Sequence, residues 1–210
     1  MKISKCNVVL RKVDGTELDI VNAARVSFHK ESTELVDKDV KLINYLARHG
    51  HWTPFGHVNA TFVIKAPIFI ARQLGKHQVG LVWNEVSRRY VDDEPEFFFP
   101  EEWRGRPDGS IKQGSGEAIQ KYGYPEGLIS AVLSFYQRSI EHGIAPEQAR
   151  MILPQNMMTE WWWTGSLAAF ARVFKLRLDP HTQKETQEVA QAMYDALLPS
   201  FPNALKALME

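Results

Sequence analysis

The stretch from Ala60 to Tyr90 constrains this chain more than any other. ATFVIKA (60–66) alternates in the manner of a strand. Pro67 follows at once, and its preset φ suits the first turn of a helix, so IFIARQLGKH is predicted to open one. That helix enters apolar, turns basic and amide-rich, and breaks at Gly75 and Gly80. Arg72, Gln73, Lys76, His77, Gln78, Asn84, Glu85, Ser87, Arg88 and Arg89 all fall in the run RQLGKHQVGLVWNEVSRRY. Arginine forks, amides and a hydroxyl in so short a run suit a phosphorylated, ring-bearing ligand. The plainer reading is a solvated, charged turn.

The remaining elements read as a mixture. CNVVLRKV (6–13) is a strand with Asp14-Gly15 as its turn, and 19–28 and 37–50 are helices. VSRRYV (86–91) reads as extended, and 92–116 as a long irregular excursion able to close over a ligand. Helices are expected at 117–143, 146–158, 165–176, 181–198 and 202–209. Helices with a few separated strands define an α+β fold, and 210 residues fit one domain, 1–210.

Composition excludes several classes. Lys+Arg and Asp+Glu both number 25, so no net field draws the chain to nucleic acid or membrane. Cys6 stands alone, which excludes an internal disulfide and a cysteine zinc cluster. No apolar leader or membrane span is visible, and the cytoplasm is the expected location. No glycine-rich dinucleotide or phosphate-loop fingerprint occurs, so a doubly wound nucleotide domain is not expected.

Other constellations have competing readings. His49, His51 and His57 in RHGHWTPFGH suggest a metal, but their spacing matches no zinc signature. No metal is expected there; packing, or lining a flat cofactor, fits better. Ser87 lacks a nucleophile elbow and reads as a phosphate donor. Cys6, in an apolar strand, is a poor nucleophile. In WWWTG (161–165) three successive indoles would point about 100° apart on a helix, so core packing on several sides competes with ring stacking on a ligand. Arg150 and Arg177 lie among apolar residues and need an anion; Asp179, Glu147 or a substrate would serve.

Five ordered segments, HWTPFGH, KAPIFIARQ, NEVSRRY, ARMILPQNMMTEWWWTGSL and KLRLDPHTQKE, resemble the flavin-dependent thymidylate synthases over roughly residues 20 to 190. The family signature is Arg-His-Arg, seven or eight residues, then Ser. Here it reads Lys76-His77-Gln78, VGLVWNEV, Ser87. Both flanking arginines have changed: Lys76 keeps the charge without the planar fork, and Gln78 keeps only an amide.

The resemblance implies a central, mostly antiparallel sheet flanked by helices. It implies reductive methylation of dUMP to dTMP, with 5,10-methylenetetrahydrofolate as carbon donor and NADPH as reductant through FAD. By position, Gln73, Lys76, Glu85, Ser87, Arg88, Arg89, Arg150 and Arg177 would hold dUMP. Ser27, His51, Thr53, Lys76, His77, Gln78, Glu85, Ser166, Arg172 and His181 would face FAD. Arg177 and Ser87 would be the catalytic pair, with Arg177 favouring the ionised uracil and no cysteine nucleophile. Arg172 could supply the charge lost at Gln78. The resemblance further implies a homotetramer whose active sites are shared between chains. Three rivals stay open: a flavin or nucleotide binder without turnover, a single-strand nucleic-acid-binding module, and a metal hydrolase built on the three histidines.

Overall fold

The computed structural model describes residues 1–107, 109, 114–119 and 123–210. The N-terminal part runs β1 (Lys2–Ile3), β2 (Asn7–Asp14), α1 (Glu17–Arg25), α2 (Asp37–Arg48), β3 (Asn59–Pro67) and α3 (Ile68–Leu74). The middle holds β4 (Leu81–Glu85), β5 (Glu96–Phe97), β6 (Trp103–Arg104), β7 (Ala118–Ile119), α4 (Glu126–Glu141) and α5 (Pro146–Ala149). Then come β8 (Met158–Ser166), α6 (Leu167–Arg177), α7 (Lys184–Leu197) and α8 (Pro202–Met209).

Four strands form the central sheet in the order β2-β3-β8-β4, each pair antiparallel. Helices and an antiparallel sheet make the protein α+β. β1 pairs parallel with β5, and β6 antiparallel with β7, outside that sheet. Among the described residues no helix is long and apolar enough to cross a membrane.

The inner face of the sheet carries Phe62, Ile64, Trp161 and Trp163, all essentially buried. Phe170 of α6 meets Phe62 and Trp163 edge-on, with ring centroids 5.1 and 5.5 Å apart. Trp83 stacks on Trp161 at 4.4 Å. Edge-on and offset rings use the quadrupole as well as the buried area. A second apolar cluster joins Phe97 and Met157 to Ile129, Leu133 and Tyr136 of α4, tying the 92–116 excursion to the C-terminal half.

The predicted strands at 6–13 and 60–66 are present, as are the helices at 37–50, 165–176, 181–198 and 202–209. The predicted helix 19–28 is helical too, though its last turn, Val26–Phe28, tightens to 3₁₀. Four expectations need correction. The first concerns 146–158, which is helical only through Ala149, tightens to 3₁₀ over Arg150–Ile152, and ends in extended Leu153 ahead of Pro154. A residue before proline is pushed out of the helical region.

The second correction is β8. Met158–Ser166 is a strand, so the three indoles alternate: Trp161 is 1% and Trp163 0% exposed, Trp162 53%. Third, 117–143 begins as strand, and its helix starts only at Glu126, after Pro125; 120–122 lie outside the described residues. Fourth, VSRRYV is not extended. The backbone folds back so that Tyr90 N–H donates to Ser87 O at 3.0 Å, and the Ser87 hydroxyl accepts from Arg89 N–H at 3.3 Å. A serine that offers its own turn bonds competes with a sheet ladder. The extended segment lies just before it, as β4 on the sheet edge. The 92–116 excursion is irregular but carries two short strands, and its residues 108 and 110–113 lie outside the described residues.

Candidate active site

The site grows from the join between α3 and β4. Gly80 sits at φ +75°, where a side chain is strained, and a Cβ there would press on Ala169 of α6 at 3.3 Å. Gly165 of β8 faces the same corner: its Cβ would lie 2.7 Å from Gly80 O. The two glycines let the 76–80 loop lie against the start of α6. Arg172 of α6 fastens it, donating from Nη2 to Val79 O at 2.7 Å. Ser166 caps α6, its hydroxyl accepting from Ala169 N–H at 3.3 Å.

Arg177 closes the other end of α6. Its Nε donates to His77 Nε2 at 3.0 Å, and its Nη2 reaches Gln73 O at 3.5 Å. Neither carboxylate proposed from sequence engages it. Asp179 accepts from His181, through the backbone N–H at 2.8 Å and Nδ1 at 3.0 Å. Glu147 pairs with Arg89 at 3.3 Å. Arg177 is thus a partly buried guanidinium with no carboxylate partner among the described residues. Burial lowers its pKa from the ordinary arginine value. Burial, and then the charges of Arg177 and Arg172, hold His77 below its usual 6.5. A charge held this way favours an anion delivered from outside.

Nine of the candidate residues line three cavities, and Ser87, Arg89, Ser166 and Arg172 line none of the three. A cavity of about 800 Å³ is lined by Gln73, Lys76, Arg177 and His181, with Trp103 and Arg104 of the excursion as a wall. Lys76, His77, Gln78 and Glu85 line another of about 440 Å³. Glu85, Arg88 and Arg150 line a third of about 460 Å³. Glu85 bridges the last two. Thr159 Oγ1 donates to it at 2.7 Å and Trp83 Nε1 at 3.1 Å, which fixes the carboxylate. Arg88 is engaged by Asp93 at 3.2 Å. Arg89 lies near Tyr90, its guanidinium 5.5 Å from the ring centroid. Ser27, His51 and Thr53 are exposed and line none of the three cavities. His51 and His49 instead lie against Tyr45, with centroids 6.1 and 4.3 Å away.

Several partners were not singled out from sequence. Thr159 orients Glu85, and buried Thr186 donates its hydroxyl to the Gln73 amide oxygen. Both are isolated threonines whose partners lie 74 and 113 residues away, so no local pattern marks them. Trp103 is different, since an indole among charges and glycines was a visible signal.

A cation without a carboxylate partner among the described residues, beside amides and an imidazole on an antiparallel α+β scaffold, is a site suited to an anionic ligand. The known proteins the chain matches narrow that class. Residues 8–203 match the family described as thymidylate synthase complementing protein. The chain is 38% identical over 197 residues to a flavin-dependent thymidylate synthase of Kosmotoga olearia, covering 91% of this chain and 84% of the relative. It is 37% identical over 191 residues to the enzyme of the same name from Thermotoga neapolitana, covering 91% and 85%. Among solved structures, the UMP/dUMP methylase PolB from Streptomyces cacaoi bound with 5-Br dUMP aligns with TM-score 0.82 at 29% identity, over 99% of this chain and 96% of that one. With 5-Br UMP bound, PolB aligns with TM-score 0.85 at 27% identity, over 100% and 96%. The chain belongs to the flavin-dependent thymidylate synthase family.

Proposed function

We propose that this chain is the methyltransferase that converts dUMP to dTMP, taking carbon from 5,10-methylenetetrahydrofolate and electrons from NADPH through FAD. The observation that carries the reading is Arg177: partly buried, hydrogen-bonded to His77, and without a carboxylate partner among the described residues. Methylation at carbon 5 needs a nucleophilic uracil ring. A guanidinium beside the pyrimidine N3 and its carbonyl stabilises the negative charge that makes carbon 5 nucleophilic, worth about 2–4 kcal/mol when preorganised. A cysteine is not used. Burial, then Glu188 and Glu185, push the Cys6 thiol up to about 11, where it stays protonated.

Gln73, held by Thr186, and Lys76 share the Arg177 cavity and take the base with it. Ser87, Arg89, Arg150 and the oriented Glu85 hold the rest of the nucleotide, and Arg88, paired with Asp93, fixes the turn that carries Ser87. The donor set around 76–80 fits a flavin. Lys76, the Gln78 amide, His77 and Arg172 are cations and donors suited to its carbonyls and phosphates. Ser27, His51, Thr53, Ser166 and His181 complete that side. Bound FAD supplies the hydride and one-carbon chemistry; the protein supplies position and field.

The spread of these residues over separate cavities supports a homotetramer whose sites are completed by neighbouring chains, each chain one cytoplasmic domain spanning 1–210.

The test is tritium release from 5-tritiated dUMP with FAD, NADPH and methylenetetrahydrofolate. Flavin-dependent release that Arg177→Ala lowers at least a hundredfold is expected. Release near wild type in Arg177→Ala refutes the role of Arg177. The same assay on 5-tritiated UMP decides the sugar, because PolB is a UMP/dUMP methylase. Tight dUMP binding without any release identifies a binder whose Lys76 and Gln78 no longer support turnover.

A further inference from the structure

His77 closes the segment that follows α3 and turns its ring toward α6, where Arg177 Nε donates to Nε2 at 3.0 Å. A guanidinium carries five N–H donors, no acceptor, and keeps its proton. The nitrogen facing it must therefore offer a lone pair. The ring is then neutral and its single proton sits on Nδ1. Nδ1–H is the one donor the imidazole has left for the 440 Å³ cavity that it lines.

We propose that His77 is the positioning residue for Arg177: as the Nδ1–H tautomer it aims the guanidinium with Nε2 and offers Nδ1–H to an electron-rich atom of the bound ligand. The assignment deepens the function proposed above and rests on it for the identity of the ligand.

The charges facing the ring favour that state. Arg177 and Arg172 approach from α6, and both oppose a second positive charge. Arg72 and Lys76 come from α3 and its end, and line the same cavity. Glu85 of β4 is the carboxylate in that cavity, and its two oxygens are already engaged by Thr159 and Trp83. Burial adds to the two arginines, and all three act to keep the ring neutral. Protonation would convert the acceptor into a donor and set two cations face to face. Arg177 would then lose its aim.

Two readouts decide the proposal. In ¹⁵N-histidine NMR of the ligand-free protein, the signals absent from His77→Gln belong to His77. They are expected to show protonated Nδ1 and bare Nε2 at neutral pH, with a titration midpoint below 6.5. A proton on Nε2, or a midpoint at or above 6.5, overturns it. The second readout is dUMP affinity at neutral pH, in variants matched for fold by circular dichroism. His77→Gln keeps an oxygen acceptor and an N–H donor, and is expected to bind within about threefold of wild type. His77→Leu keeps neither, and is expected to bind at least roughly tenfold more weakly. The wild type should lose affinity as pH falls through the His77 midpoint, and His77→Gln should lose that step. Equal binding by His77→Leu and wild type overturns the positioning role. A wild type that binds no dUMP overturns the substrate assignment instead, while the tautomer, read without ligand, still decides the pairing.

Discussion

The Glu17 carboxylate accepts from Asn203 N–H, Asn203 Nδ2 and Ala204 N–H, each at 2.7 Å. These donors belong to the first residues of α8, so a side chain from α1 caps a helix 186 residues away. Glu17 is 5% exposed, and its removal leaves the backbone N–H groups of half-buried Asn203 and buried Ala204 without this acceptor. Glu17→Ala is expected to cost about 2–3 kcal/mol, read as a lower midpoint in urea unfolding with an unchanged slope. An unchanged midpoint would show that water replaces the carboxylate. Nothing near Glu17 in sequence marks this role. The hydrogen bond between Thr16 and Asp19 at the same helix start is a local capping signal of the kind a sequence does display.

Among the elements, the excursion is fastened by charge. Arg104 of β6 pairs with Glu185 at the start of α7, and its Nε donates to Ser115 Oγ at 2.7 Å. Lys5–Glu101 at 2.9 Å and Lys184–Glu102 at 3.6 Å are exposed, and add little. Burial pushes the Glu185 carboxyl up, but Arg104, a backbone N–H and Gln183 outweigh it, and the net pKa lies below 4.5. The unfolded carboxyl titrates near its ordinary value. The pair's contribution is therefore complete above 4.5 and is lost as pH falls through the folded value. Hydrogen-exchange protection over 97–104, corrected for intrinsic rates, should fall in that acid window. Glu185→Gln should reproduce the loss at neutral pH. Because the same segment walls the Arg177 cavity, Glu185→Gln should also weaken dUMP binding. Protection that stays constant in both cases would mean that the Phe97–Tyr136 apolar cluster alone holds the excursion.

Element boundaries were legible where a local rule governs them. Pro125 and Pro154 carry a local signal against continuous helices at 117–143 and 146–158, the two spans whose expected bounds the structure corrects. The strand character of β8 was not legible. A strand covered on its inner face, with an indole on the outer one, shows a continuous apolar run like that of a buried helix. Its assignment comes from β3 and β4 on either side: Trp161 pairs with Ile64 and Glu85, and Trp163 with Phe62 and Trp83.

At the scale of the whole molecule, the outer face of the sheet stays open. Val82 is 66% and Trp162 53% exposed there, on the edge strand and its neighbour. Val79 and Tyr90, on the turns flanking β4, are exposed as well. An apolar face beside open ligand cavities is what an assembling subunit presents. On the proposed tetramer, Trp162→Glu is expected to shift the particle to smaller species by light scattering, and to abolish tritium release with little change in secondary structure. A tetramer that survives places the interface elsewhere; an active monomer refutes the shared site.

Local sequence settled what local physics governs. Pro67 opened α3, alternation made β2 and β3, and the ordered polar run 72–89 marked residues of the candidate site. Only the tertiary structure decided that His77 accepts from Arg177, that Thr159 and Thr186 lock Glu85 and Gln73, and that Asp179 turns to His181 instead of Arg177. Each of those pairings except the last joins residues at least 74 positions apart. Such a pair has no signature along the chain, because its partner is chosen by how sheet and helices pack and by where burial leaves a charge without water.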